Sequence, residues 1–172
     1  MKTKNLFTKA VLLSVAVMAM SFGVSAQEKG DMSVGGNLVF GTGDSYTNIG
    51  IGADFRYQFL DKVRGSAELT YFLPKDYVSM VDFSVNAHYL FPITGQITVY
   101  PLAGLGILQS TVDYGDVFGV SASSSHSDVA FNIGGGADYY FTDKLIFNAE
   151  LKYKISDTWD RALLSLGVKY KF

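Results

Sequence analysis

Beyond Asp31 the chain changes character every second residue, an apolar side chain followed by a polar or small one. The pattern is clearest where Ile49, Ile51, Ala53, Phe55, Tyr57 and Phe59 interleave with Asn48, Gly50, Gly52, Asp54, Arg56 and Gln58. In extended backbone, residues i and i+2 share a face, so each such segment predicts a strand with one greasy side and one polar side. Eight segments follow this rule: 32–41, 48–59, 63–73, 81–91, 97–107, 129–141, 144–155 and 162–172. The fifth is irregular, with Pro101 in its apolar set and Leu102 and Leu108 in the opposite set. No segment between them has a helical period, and the fold class is all-β.

The front of the chain is different. Lys2, Lys4 and Lys9 precede the apolar run Ala10 to Met20, and Val24-Ser25-Ala26 offers small residues for cleavage. This predicts a secretory signal peptide over 1–26, cut between Ala26 and Gln27, and a single domain over 27–172. Loss of the leader's three lysines leaves eleven Lys and Arg against sixteen Asp and Glu, a net charge of −5. An acidic surface argues against nucleic acid as a partner. Cysteine is absent, so an exported chain of this kind is not held together by disulfides. No segment after the leader approaches the roughly 18 consecutive apolar residues of a spanning helix, so a membrane-crossing structure here has to be a closed sheet.

Four segments end on an aromatic, any residue, then Phe: Tyr57-Gln58-Phe59, Tyr89-Leu90-Phe91, Tyr139-Tyr140-Phe141 and Tyr170-Lys171-Phe172. Each puts two rings on one face at a strand end. Girdles of such rings border membrane-spanning barrels where hydrocarbon meets water. The connections after the even segments are short: Leu60-Asp61, Pro92 to Gly95, and Thr142-Asp143. Those after the odd segments are read as polar loops: Thr42 to Thr47, Pro74 to Tyr77, Thr111 to Asp128 (the longest) and Ser156 to Thr158. Short turns on one side and longer loops on the other is the plan of an outer-membrane barrel, and an even strand count puts both termini on the short, periplasmic side. Alternation alone does not say which face is inside. The girdle on the apolar face and the Gly, Ser and Asn on the polar face favour a barrel that turns its apolar side to lipid. The reading is an eight-stranded antiparallel up-and-down transmembrane β-barrel.

With those features in place, the chain resembles the small eight-stranded outer-membrane barrels, the outer membrane protein X and OmpA-type barrel family. The resemblance covers the whole mature chain. Its sharpest element is Ser165-Leu166-Gly167-Val168-Lys169-Tyr170-Lys171-Phe172, which is similar to the family's terminal assembly signal through Gly167, Tyr170 and Phe172. The stretch Gly136 to Leu145 also looks like a turn region of the family. The resemblance implies residence in the outer membrane of a Gram-negative bacterium, contact with its lipids, and insertion by the barrel-assembly machinery. Because the sequence stops at Phe172, a cell-wall-binding domain is not expected.

Eight strands enclose a lumen that side chains can fill. The inward set contains Asp54, Glu68, Asp82, Asp138 and Glu150, and also Arg56, Arg64, Lys152, Lys169 and His88. Charges in so narrow a space are expected to pair into a plug rather than line an open pore. Catalytic residues are not expected. His126-Ser127-Asp128 has the residue types of a hydrolytic triad, but sequence neighbours rarely point at one another, and a lipid A-modifying barrel remains the enzyme alternative. Gly104-Leu105-Gly106 and Gly134-Gly135-Gly136 lack the strand-turn-helix setting of a phosphate loop, His88 has no second His or Cys beside it, and neither cofactor nor metal is expected. Tyr114, Phe118 and Trp159 are candidates for an upper aromatic belt or a partner contact. The function expected is structural or interactive, with an extracellular partner meeting the 111–128 segment. The alternative is passage of a small hydrophobic compound through the side, as in OmpW-like barrels, for which inward Leu102 and Leu108 are the only hint.

Overall fold

The computed structural model describes residues 28–43, 46–75, 78–117, 120–156 and 160–172. The predicted leader and its cleavage site lie outside the described residues. The strands are β1 (Met32–Gly43), β2 (Tyr46–Leu60), β3 (Val63–Lys75), β4 (Val78–Tyr89), β5 (Ile97–Val117), β6 (Val120–Tyr140), β7 (Leu145–Ser156) and β8 (Arg161–Lys171). Each pairs antiparallel with its chain neighbours, and β1 closes on β8 from Ser33↔Lys171 to Gly43↔Arg161. The result is a closed, eight-stranded, up-and-down barrel.

The irregularity of the fifth segment has a local cause. The β4–β5 ladder runs to His88↔Leu102, breaks, and resumes in a two-residue piece at Phe91↔Val99. Both pairs keep one register, and the break falls at Pro101. Proline has no N–H to give the ladder.

Facing follows the alternation. The outward set carries Leu105 at 60% exposure and Val129 at 70%, whereas the inward Ser84, Asn132 and Asp138 are wholly shielded. At the end that carries the termini the girdle is assembled. Tyr57 and Phe59 pack with ring centres 4.8 Å apart, and Tyr89 and Phe91 at 4.9 Å. Phe141 meets Phe147 edge-on at 5.8 Å, next to the outward Tyr139. Phe59 also covers Gly65, where an added Cβ would lie 2.6 Å from the ring. The turns at this end share a device. Thr94 Oγ1 accepts from the Ile97 N–H at 3.0 Å, and Thr142 Oγ1 accepts from the Leu145 N–H at 2.9 Å.

The other end differs from expectation. The described residues of 111–128 are strand and not loop. β5 and β6 stay paired from Ile97↔Tyr139 up to Val117↔Val120, with one irregularity between Asp113 and Asp116. The remaining connections at this end are also short, because β1 reaches Gly43 and β2 starts at Tyr46, while β3 reaches Lys75 and β4 starts at Val78. The sequence pattern hid the ribbon for a physical reason. Alternation marks a strand only where its two faces meet different surroundings, and a ribbon in water has two wet faces.

The lipid-facing assignment makes a quantitative prediction. Leu164→Arg or Phe83→Arg, both on the outward face, should cost about 2–4 kcal/mol near the midplane, measured by urea unfolding in lipid vesicles. Ser84→Arg, fully shielded in the lumen, should instead fail to fold through crowding and charge imbalance. Wild-type stability in Leu164→Arg would reverse the facing.

Candidate functional site

The lumen places a polar core where a soluble protein keeps an apolar one. At its centre is Asp138, wholly shielded on β6. It accepts from Arg64 Nη1 at 2.7 Å, from Arg56 Nη1 at 3.1 Å and from Asn148 Nδ2 at 2.7 Å. Arg56 also reaches Asp54 through Nε at 3.0 Å and lies 3.6 Å from Glu150. Lys169 closes that layer, donating to Asp54 Oδ1 at 2.6 Å and Asn37 Oδ1 at 3.1 Å.

Tyr100 links these groups. Its hydroxyl accepts from Arg56 Nη2 at 3.3 Å and Asn148 Nδ2 at 2.8 Å, and donates to Glu150 Oε2 at 3.0 Å. Its ring stacks on His88 at 4.6 Å, with the Arg64 guanidinium carbon 4.8 Å from the ring centre. Glycine makes this possible: a Cβ at Gly136 would lie 2.6 Å from the Tyr100 hydroxyl. His88 has both nitrogens engaged. Arg64 Nε donates to Nδ1 at 3.2 Å, and Nε2 lies 3.2 Å from Ser66 Oγ, which itself donates to Glu68 Oε1 at 2.9 Å. That chain assigns the Nε2–H tautomer to His88.

Higher in the lumen Lys152 bonds Glu68 and lies 3.3 Å from Glu150. Asn86 donates to Glu68 at 2.9 Å and accepts from Asn132 at 2.9 Å. A separate pair, Lys154 with Asp82, sits above; Ser84 donates to Asp82 at 2.7 Å and accepts from Lys154 at 2.9 Å. The space for the Lys154 ammonium comes from Gly106, where a Cβ would fall 2.7 Å from Nζ.

Glu68, His88 and Glu150 bring one ligand atom each within 4.8 Å of one another. The geometry is that of a small cation site, but the Lys152 ammonium already bonds Glu68 and neighbours Glu150, and His88 is spent on Arg64 and Ser66. The donor set does not fit a metal ion.

All ten charged or imidazole groups picked from the sequence lie in this one lumen. Three further lumen residues do not stand out in the sequence as charged-network members. Tyr100 and Lys154 fall in the polar phase of their strands, and Arg161 stands one residue before the predicted start of the last strand at Ala162. The triad types on β6 do not assemble. His126 Nε2 lies 3.0 Å from Asp128 Oδ1, while Ser127 alternates to the opposite face. At the end of the chain, Gly167 faces inward beside Asn37, Tyr170 faces outward with Lys144 Nζ 5.9 Å from its ring centre, and the Phe172 N–H donates to the Met32 carbonyl at 3.1 Å. The side chains of Tyr114, Phe118 and Trp159 lie outside the described residues.

The sequence profile of the outer membrane protein β-barrel domain matches residues 7–172. The chain belongs to that family. The match begins inside the predicted leader. A comparison with curated protein sequences gives no match. Among solved structures, the barrel is similar to Ail, the attachment invasion locus protein of Yersinia pestis, at 22% identity over 84% of this chain and 99% of that one, with a TM-score of 0.60. It is similar to the N-terminal barrel domain of Pseudomonas aeruginosa OprF, at 19% identity over 85% and 100%, with a TM-score of 0.62. Neisserial surface protein A gives 18% identity over 83% and 96%, also at 0.62. At such identities the likeness shows the shared fold.

Removing one member of the lumen network should cost far more than removing a rim pair. Asp138→Asn leaves Arg56 and Arg64 without their shared carboxylate and should cost about 3–5 kcal/mol. Lys171→Gln breaks a pair with Asp31 that is 24% and 26% exposed, and should cost about 0–1 kcal/mol. Urea titrations of the two variants in the same vesicles compare them directly.

Proposed function

We propose that this barrel is a non-enzymatic surface protein whose working part is the β5–β6 ribbon and whose partner is an extended polypeptide outside the cell. The observation that carries the reading is an open strand edge. β4 leaves β5 at Val78↔Val112, and β7 leaves β6 at Ala130↔Ser156. Above those rows, among the described residues, β5 and β6 pair only with each other. This exposes β6 along Val120–Val129 and β5 along Asp113–Val117. An open edge presents unpaired N–H and C=O groups and templates a further strand, and proteins that avoid this place Lys or Pro on the edge. Val120-Ser-Ala-Ser-Ser-Ser-His-Ser-Asp-Val129 has neither. Strand addition through main-chain bonds is an established way to hold an extended peptide.

Charge narrows the partner. Residues 111–129 contain Asp113, Asp116 and Asp128 and no Lys or Arg, so the edge favours a basic segment. The orientation that serves this role puts the ribbon outside and both termini in the periplasm. The barrel then needs outer-membrane lipids around it and the assembly machinery for insertion, read through Gly167, Tyr170 and Phe172. The filled lumen supports a scaffold in place of a pore. Passage of a hydrophobic compound through the wall gains no comparable support. Leu102 packs with Leu90 and Tyr100 at the short break in the β4–β5 ladder, Leu108 packs with Val39, Phe72, Met80 and Leu163, and the β5–β6 ladder is unbroken beside both.

Two measurements test the reading. Deleting Gly115 to Ser125 should abolish binding of cells to an extended basic polypeptide while the unboiled protein keeps its shifted gel mobility. Unchanged binding by the folded deletion variant refutes the ribbon as the working part. Single-channel recording of the purified protein should give no steady, large conductance, and finding one refutes the plug.

A further inference from the structure

Among the described residues the buried charges of the lumen do not balance, and the excess has an address. The buried cations are Arg56, Arg64, Lys152, Lys154, Arg161 and Lys169, and the buried carboxylates are Asp54, Glu68, Asp82, Asp138 and Glu150. Five of the six cations hold a carboxylate within salt-bridge distance. Arg161, the first residue of β8 at the ribbon end, holds none among the described residues, although it is only 6% exposed.

The unpaired atoms are specific. Nε and Nη2 of Arg161 are shielded from solvent and meet no acceptor among the described residues. These two nitrogens form one edge of the guanidinium, the edge that grips a carboxylate or phosphate with two parallel bonds. The rest of the group is fixed from other sides. Nη1 lies 3.7 Å from Met80 Sδ, and the guanidinium carbon lies 4.8 Å from the centre of the Phe72 ring. Asn48 Nδ2 shares the same sulfur at 3.6 Å. Sulfur is a weak acceptor, so Asn48 is a second donor held beside the arginine by a partner it can easily exchange. The buried carboxylate of Asp82 is taken by Lys154 and Ser84. A planar cation held by ring and sulfur, with its bidentate edge unused, is costly as it stands.

We infer that the ribbon-end mouth of the lumen is a binding site for one oxyanion, a phosphate- or sulfate-type group, held by Nε and Nη2 of Arg161 with Asn48 Nδ2 as the neutral donor. The group enters either as a soluble ion or as the phosphate of a lipid headgroup. The site is separate from the ribbon edge and stands whether or not the edge binds a peptide.

The test uses the purified full chain in maltoside micelles, with the arginine side chains followed by nitrogen-15 NMR. Inorganic phosphate and sulfate should shift the Arg161 Nε–H signal saturably and raise the melting temperature, while chloride at equal ionic strength should do neither. Arg161→Lys keeps the charge but loses the fork, and should weaken phosphate by roughly tenfold or more while still folding. Asn48→Ala should weaken it less. In nanodiscs containing lipid A and no free phosphate, a shifted signal identifies the headgroup as the source; a shift that needs added phosphate identifies the soluble ion. A signal that moves in neither arm, because water or a carboxylate of the chain itself already fills the edge, overturns the proposal. So does equal phosphate affinity in Arg161→Lys.

Discussion

Hydrocarbon accepts no hydrogen bonds, and the rest of this structure follows from that. A backbone N–H or C=O left unpaired in lipid costs several kcal/mol, so a sheet that crosses a membrane has to close on itself. Closure is achieved by pairing Gly43–Ser33 of β1 with Arg161–Lys171 of β8, the strands at the two ends of the sequence. A barrel this narrow has room inside only for side chains. The apolar half of every strand is pushed outward by the lipid, and whatever remains has to fill the middle.

What remains is charged, and it forms a core of a different kind. A soluble core tolerates imperfect partners because its contacts are non-directional. A buried carboxylate does not: Asp138 needs three donors from three other strands, on Arg56, Arg64 and Asn148. Each lumen bond therefore fixes a strand register as well as contributing energy. Lys169 joins β8 to β2 through Asp54, Lys152 joins β7 to β3 through Glu68, and Lys154 joins β7 to β4 through Asp82. These ties cross the lumen between strands that are not neighbours, so they resist any slip of the barrel wall that local ladders would allow. Tyr100 plays the same part as a neutral member, since one hydroxyl serves Arg56, Asn148 and Glu150.

The fold was legible because the bilayer writes itself into the sequence. Between Ile49 and Phe59 every second residue faces acyl chains, and that selects apolar side chains without exception. The facing of Asp54, Glu68 and Lys152 followed from the same parity. Which charge meets which did not. Pairing across a lumen depends on stagger between strands, and Arg56 meets Asp138 across 82 positions of sequence. Tyr100 escaped notice because a tyrosine in the polar phase reads as a packing residue until its hydroxyl partners are known. The ribbon escaped because alternation has no cause above the lipid.

The limits of the alternation also measure the membrane. On β6 the outward Tyr139 belongs to the girdle, and the outward Val129 is the first residue of the open ribbon edge. Ten residues separate them, which is about 33 Å of strand. Tilted by roughly 40°, as strands of such barrels are, that length rises about 25 Å, the height of the apolar band in outer-membrane barrels. The open edge therefore begins where hydrocarbon ends. A row lower, the unpaired groups of β6 would face lipid and the barrel would be destabilised. The point where β7 leaves β6, at Ala130↔Ser156, is set by the same solvation constraint that closes β1 on β8. A strand edge that is forbidden inside the bilayer is tolerated immediately outside it, where water can meet its free N–H and C=O groups.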